Sequence, residues 1–192
     1  AKGITVFDVD VEKGTFKERC EMEVNNSSYV IASSDGKTLY SIADEGVVSF
    51  RILQNGALAR LNSAPIRGMR GCHLCSDLED KFIFVSGYHD GKTTILSLNK
   101  DGSVGGIVDG VYDKGYGSVA ERNFRPHVTC TRRMPDNKYV LSVDNGVDQV
   151  KIYRFNDKEQ KMVQVDAIRC DLESAPRHFR FSRDGRFLYL MY

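Results

Sequence analysis

No stretch of this 192-residue chain is apolar for anything near the roughly 20 residues that a membrane-spanning helix requires, and no leader of a basic segment followed by an apolar one opens it. An excess of charge is missing too. Lys and Arg number 27 against 26 Asp and Glu, a net charge of +1. That balance argues against a surface made to neutralise a nucleic-acid backbone or an anionic membrane, so neither is expected as a partner. Cysteine is scarce and odd in number (Cys20, Cys72, Cys75, Cys130, Cys170), a poor disulfide framework that points to a reducing, cytoplasmic setting. Cys72 and Cys75 form a CxxC, but no second ligand pair follows at zinc-finger spacing, and His73 sits inside the pair rather than after it. No metal and no cofactor are expected. GxSxG, HExxH and Gly-rich nucleotide motifs are absent, which leaves serine-hydrolase, zincin and dinucleotide chemistry without support. Long helical periodicity is lacking as well.

What is present is a repeat. An acidic–Gly/Asp/Asn–basic turn followed by an apolar or aromatic run occurs four times: Asp35-Gly36-Lys37, Glu79-Asp80-Lys81, Asp136-Asn137-Lys138 and Asp184-Gly185-Arg186. The first residues, 35, 79, 136 and 184, are 44, 57 and 48 positions apart. A second block, at 4–9, 47–52, 93–98 and 150–155, alternates apolar and polar residues as a half-buried strand does. In three copies a glycine follows (Gly14, Gly56, Gly102), suited to a hairpin with positive φ; the fourth has Glu159-Gln160-Lys161 instead. At 41% hydrophobic and 28% charged the chain can bury a core. Four short strands per unit of about 48 residues predict an all-β propeller of four-stranded antiparallel blades. This chain, residues 1–192, covers about four blades of a probable seven, because seven at that size need roughly 335 residues. Ala1 in place of Met, and an end inside a strand at 188–192, lead to the expectation that both terminal parts of the propeller are missing.

The third repeat is longer by roughly ten residues, and the excess falls in 101–125, which is rich in glycine. Insertions of this kind are expected in loops on one face, often the binding face. Gly115-Tyr116-Gly117-Ser118 reads as a flexible loop rather than an anion cradle.

Basic residues gather ahead of the turns: Arg67, Arg70 and His73; Arg122, Arg125 and His127; Arg177, His178 and Arg180. A propeller brings equivalent positions of successive blades to one channel mouth. Arg offers a planar fork for carboxylate or phosphate, and His exchanges protons near neutral pH, so the expected ligand is small and anionic. Asp144-Asn145-Gly146-Val147-Asp148 and Tyr88-His89-Asp90-Gly91 read first as turns, with Tyr88 and His89 within reach of the channel.

These motifs carry a family resemblance. Asn26-Ser27-Ser28-Tyr29-Val30, Gly71-Cys72-His73-Leu74, Ser86-Gly87-Tyr88, Arg125-Pro126-His127, Val143-Asp144-Asn145-Gly146 and Ala175-Pro176-Arg177-His178-Phe179 together resemble the seven-bladed β-propeller lactonase family, which includes bacterial 6-phosphogluconolactonase and a fungal carboxymuconate lactonising enzyme. The resemblance extends over essentially the whole chain. It implies a carboxylic-ester hydrolase acting on lactones, with 6-phosphogluconolactone of the pentose phosphate pathway as the favoured substrate. The alternatives are a lactonising cycloisomerase and a non-catalytic binding propeller.

The resemblance implies a site of an Arg and a His at these blade ends with a Glu, the Arg falling on Arg177 and the Glu just beyond Tyr192. Three departures stand out: Thr129 where the family usually has a second His, Asn145 where Leu is common, and Ala175 for a glycine. The expected catalytic residues are His127 and Arg177, with His73, Arg125, His178 and Tyr88 binding substrate. The expectation is that Arg125, His127 and Arg177 share one cationic pocket. Oligomeric state is left open by the sequence.

Overall fold

A computed structural model describes residues 3–117 and 124–192. Sixteen strands run in chain order, and no helix occurs among the described residues. A hairpin of β1 (Gly3–Asp10) and β2 (Thr15–Glu23) comes first. Three four-stranded antiparallel sheets follow. The first contains β3 (Val30–Ala32), β4 (Thr38–Ala43), β5 (Gly46–Ile52) and β6 (Leu58–Ala64). The second contains β7 (His73–Ser76), β8 (Phe82–Gly87), β9 (Lys92–Leu98) and β10 (Val104–Tyr112). The third contains β11 (Val128–Arg133), β12 (Tyr139–Asp144), β13 (Gln149–Asn156) and β14 (Lys161–Arg169). A second hairpin, β15 (His178–Phe181) and β16 (Leu188–Met191), ends the described chain. Each full sheet is a simple meander with its strands in sequence order. The expected four blades are therefore phased as three complete blades between two half-blades, since the repeated 4–9 block is the third strand of its unit rather than the first.

Each Asp-Gly-type turn joins first and second strands, and its second residue has positive φ: Gly36 68°, Asp80 50°, Asn137 59°, Gly185 72°. Asp and Asn tolerate that region because their short polar side chains bond locally. The turns share a closing bond, as in Gly36 N–H to Ser33 O (3.0 Å) and Gly185 N–H to Ser182 O (2.9 Å). Ser33 and Ser182 each donate to the turn aspartate and accept the N–H of the strand that follows. At the second turn Asp77, buried, accepts the Lys81 and Phe82 N–H groups instead. The third-to-fourth hairpins turn at Gly14, Gly56 and Gly102, and in the fourth copy Gln160 takes the same positive φ, 53°.

The glycine-rich stretch after residue 101 is not the loop expected. Val104–Tyr112 forms the outer strand of the second blade, with Gly105, Gly106 and Gly110 inside it. The extra residues lie after it, and Ser118 and Arg122 fall outside the described residues.

The core lies between blades. Tyr40, Ile42 and Val47 of the first blade pack on Leu74, Ile83 and Leu96 of the second. Phe82, Phe84 and Ile95 in turn pack on Val140, Tyr153 and Phe155 of the third. Middle strands, buried on both faces, therefore read as continuous apolar runs, whereas outer strands such as β14 leave Val163 and Val165 exposed. Fully burying one such side chain stabilises by about 1.5–3 kcal/mol.

A charged knot joins the second blade to the third. The Lys151 ammonium, 1% exposed, lies 3.4 Å from Asp113 and 3.5 Å from Asp144, and donates to Lys114 O at 2.7 Å. Tyr153 donates its hydroxyl proton to Asp113. One ammonium faces two carboxylates, so burial pushes Asp113 up to about 7, more than Lys151 holds it down, and Asp144 adds to the rise.

Lys151→Met strands two buried carboxylates and is expected to lower unfolding stability by about 3–5 kcal/mol in urea titrations. Protonated Asp113 favours the fold; that contribution is complete below the ordinary value of 3.8 and is lost as pH rises through about 7. Stability is therefore expected to fall between those values as pH rises, and Asp113→Asn to flatten the fall.

Candidate active site

Counting back from the first residue of each turn, the seventh residue is Ser28, Cys72, Thr129 and Arg177 in successive blades. All four line one cavity of about 850 Å³. Tyr88, His89 and Asn145, at the ends of the second strands, line it as well, together with His178 and Glu173. The inner-strand openings thus form a mouth, as the propeller geometry requires.

The loop ahead of β15 is held from the neighbouring blade. Asp148, itself at φ 53°, accepts the N–H groups of Glu173 and Ala175, each at 2.8 Å. Asn145 Nδ2 donates to Ala175 O at 3.0 Å, and Arg177 N–H to Met191 O at 2.8 Å. Thr129, where the related family usually has His, donates its hydroxyl proton to Arg177 O at 2.7 Å. Its role here is to fix the arginine backbone. Ala175 sits at φ 49°, a conformation that penalises a Cβ and accounts for the glycine of the resembling motif.

Of the expected site residues, Arg177, His178 and Tyr88 line the cavity and Arg125, His127 and His73 do not, so of the three expected to share one cationic pocket only Arg177 lies on it. Arg125 is exposed and lies over the Phe124 ring, 5.5 Å from its centroid. His127 is buried, stacked on Tyr88 at 4.4 Å with its Nδ1 2.7 Å from Tyr88 O. Its backbone N–H goes to Asp144 Oδ1 at 2.8 Å. The physical reason is register: His127 falls nine residues before its turn, off the ring that faces the channel, and meets the mouth through Tyr88.

His73 is fully buried on the next ring inward. The sixth residues before the turns are Tyr29, His73, Cys130 and His178. Their side chains meet: ring centroids of Tyr29 and His73 are 4.7 Å apart, those of His73 and His178 5.6 Å, and Cys130 Sγ lies 3.6 Å from His73 Nε2. Arg132 reaches the same nitrogen at 3.1 Å. Burial, then Arg132, holds His73 down to about 2, so its ring is neutral. His178 is lowered by burial and by Arg132, Arg177 and Arg180. Cys72 is pushed up to about 11 by burial, against the pull of Arg177, which makes it a poor nucleophile. Cys72 and Cys75 do not pair; all five cysteines are free. Sequence reasoning missed Glu173, Ser28 and Cys130. The count back from each turn reaches Ser28 and Cys130, whereas nothing in the sequence marks Glu173.

Radial blades with a polar mouth on the inner strands define a β-propeller with a cavity at one end of its channel. The chain belongs to the family described as "Lactonase, 7-bladed beta-propeller", whose model matches residues 1–192. It is 29% identical over 197 residues to a 6-phosphogluconolactonase of Bacillus subtilis, covering 100% of this chain and 56% of that protein. Among solved structures, a putative 6-phosphogluconolactonase from Bacteroides fragilis superposes with a TM-score of 0.91 at 33% identity, covering 99% of this chain and 57% of that one. The periplasmic gluconolactonase of Pseudomonas aeruginosa gives 0.92 at 25% identity, with 99% and 57% covered. The chain spans about half the length of the relatives it matches. No helix among the described residues is long and apolar enough to cross a membrane.

A glycine at 175 relieves a left-handed Cβ. Ala175→Gly is expected to raise stability by roughly 0.5–1 kcal/mol, readable as a higher urea midpoint with an unchanged slope.

Proposed function

We propose that this protein hydrolyses a sugar lactone, 6-phosphoglucono-1,5-lactone to 6-phosphogluconate, the reaction that the names of the Bacillus and Bacteroides relatives indicate and a step of the pentose phosphate pathway. The observation that carries the reading is Arg177. It lines the mouth cavity, and none of the ion pairs among the described residues involves it. It is therefore available to a ligand oxygen.

As water adds to the lactone carbonyl, negative charge develops on the carbonyl oxygen, and a cation fixed there stabilises it. His178 follows Arg177 in the chain and lines the same cavity; its neutral imidazole accepts the proton of the attacking water. Collapse of the adduct breaks the bond between the carbonyl carbon and the ring oxygen, which takes the proton back from His178. The product is the hydroxy acid, and the imidazole returns neutral. Glu173 places a carboxylate on the cavity wall, and Tyr88 forms another part of it, held by His127. His127 is in this reading a positioning residue. Five free cysteines suit a cytoplasmic location. The partner assigned is a small anionic sugar lactone, with no nucleic acid or membrane involved.

In the purified protein, Arg177→Ala is expected to lower kcat/KM on the phosphorylated lactone by about 100-fold or more, and His178→Asn to lower kcat. His127→Ala is expected to act more weakly and mainly on KM. An Arg177→Ala protein that is folded and turns over at the parent rate would remove the mechanism. With His178 lowered from 6.5, the acid limb of kcat/KM is expected below that pH, and Arg132→Met is expected to move it upward.

A further inference from the structure

We infer that the channel beneath the mouth holds a second site, in which Arg132 and Arg180, with the Tyr29 hydroxyl and the rings of His73 and His178, take a dianionic phosphoryl group. Arg132 and Arg180 are equivalent residues of successive blades, each four positions before its turn and two beyond the ring of Cys130 and His178. Alternation along a strand therefore turns both toward the channel. Arg132 Nη2 lies 3.1 Å from His73 Nε2 and 3.5 Å from the Tyr29 hydroxyl. Arg180 lines a hollow of about 450 Å³ together with Tyr29 and His178. His178 lines both this hollow and the mouth cavity, so one ligand can pass by its ring to occupy both.

Among the described residues the cluster has no counter-charge. Neither Arg132 nor Arg180 enters any ion pair among the described residues. Arg132 Nε and His73 Nδ1 are buried with no hydrogen-bond partner. Both histidines feel neighbouring cations, and no carboxylate among the described residues offsets them. Two guanidiniums that both act on His73 and His178 carry close to two positive charges, which a phosphate monoester balances better than a single carboxylate does.

A metal ion is the competing occupant, because donor atoms of His73, Cys130 and His178 all lie within 4.8 Å of one another. Arg132 decides against it: the guanidinium already occupies His73 Nε2, and a dication there would sit against like charge. Burial also raises the Cys130 thiol, which keeps it protonated.

Resting on the lactonase reading, the site takes the phosphoryl tail of a lactone whose carbonyl meets Arg177. Arriving dianion then offsets the arginine field at His178 and makes it a stronger base.

The test separates the two readings. Inorganic phosphate, followed by calorimetry and by the His178 imidazole resonance, is expected to bind once per chain and to raise the His178 titration midpoint. Arg180→Ala, on an exposed side chain, and Arg132→Met are each expected to weaken phosphate binding about tenfold or more, with Arg177→Ala changing it little. In turnover, Arg180→Ala is expected to raise KM about tenfold for the phosphorylated lactone and to leave that for the unphosphorylated lactone unchanged. Phosphate affinity that survives both arginine substitutions in folded protein overturns the site, whatever the lactones do. Stoichiometric Zn²⁺ uptake at neutral pH by the parent protein overturns it in favour of the metal. Phosphate binding with no turnover of either lactone upholds the site and removes the lactonase reading instead.

Discussion

The ammonium of Lys151 is buried where water cannot solvate it, and the mouth of the channel is assembled on its counter-ions. Asp144 faces Lys151 with one oxygen and with the other accepts the N–H groups of His127 and Gly146. His127, so fixed, stacks on Tyr88 and bonds its carbonyl, and Tyr88 is a wall of the cavity. Asp113 brings the outer strand of the second blade to the same charge. A buried pair of this sort adds little net stability compared with apolar packing. Its effect lies in specificity: three chain segments from two blades have one arrangement that satisfies the charge.

A similar division of labour runs along the 144–148 segment. Asp144 looks inward to the knot, Asn145 faces the cavity, and Asp148 takes the two N–H groups that shape the loop before Arg177. What reads in the sequence as an acidic β-turn is a bracket that sets the third blade against the next half-blade. Thr129 completes it by holding the Arg177 carbonyl. A threonine there puts no titratable group at the mouth but supplies a backbone anchor.

The strand pattern and the turns were legible because they depend on local chemistry. Positive φ at residues 36, 80, 137 and 185 demands Gly, Asp or Asn, and these residue types announce themselves. Blade phasing was not legible from the 4–9 block alone, because a third strand and a first strand both alternate. Grouping basic residues by proximity placed His127 and Arg125 with Arg177, although they stand nine and eleven positions from the turn rather than seven. Strict counting from the turn finds the mouth and the inner ring, including Cys130 and Arg132, whose residue types differ too much between blades to look like a repeat. The buried knot was beyond reach, since Asp144 and Lys151, on two strands of the third blade, are met by Asp113 from just past the outer strand of the second.

Gly146 shows how tightly the bracket is drawn: a Cβ there would stand 1.8 Å from Arg125 O. The residue before it is asparagine, and an Asn-Gly step is where peptide chains age fastest, by attack of the glycine nitrogen on the side-chain amide to give a cyclic imide. In this fold both reactants are engaged, the nitrogen by Asp144 and the amide by Ala175. The same bonds that place Asn145 at the cavity therefore guard the protein against chemical decay at that link, and its shelf life is tied to the integrity of its binding mouth.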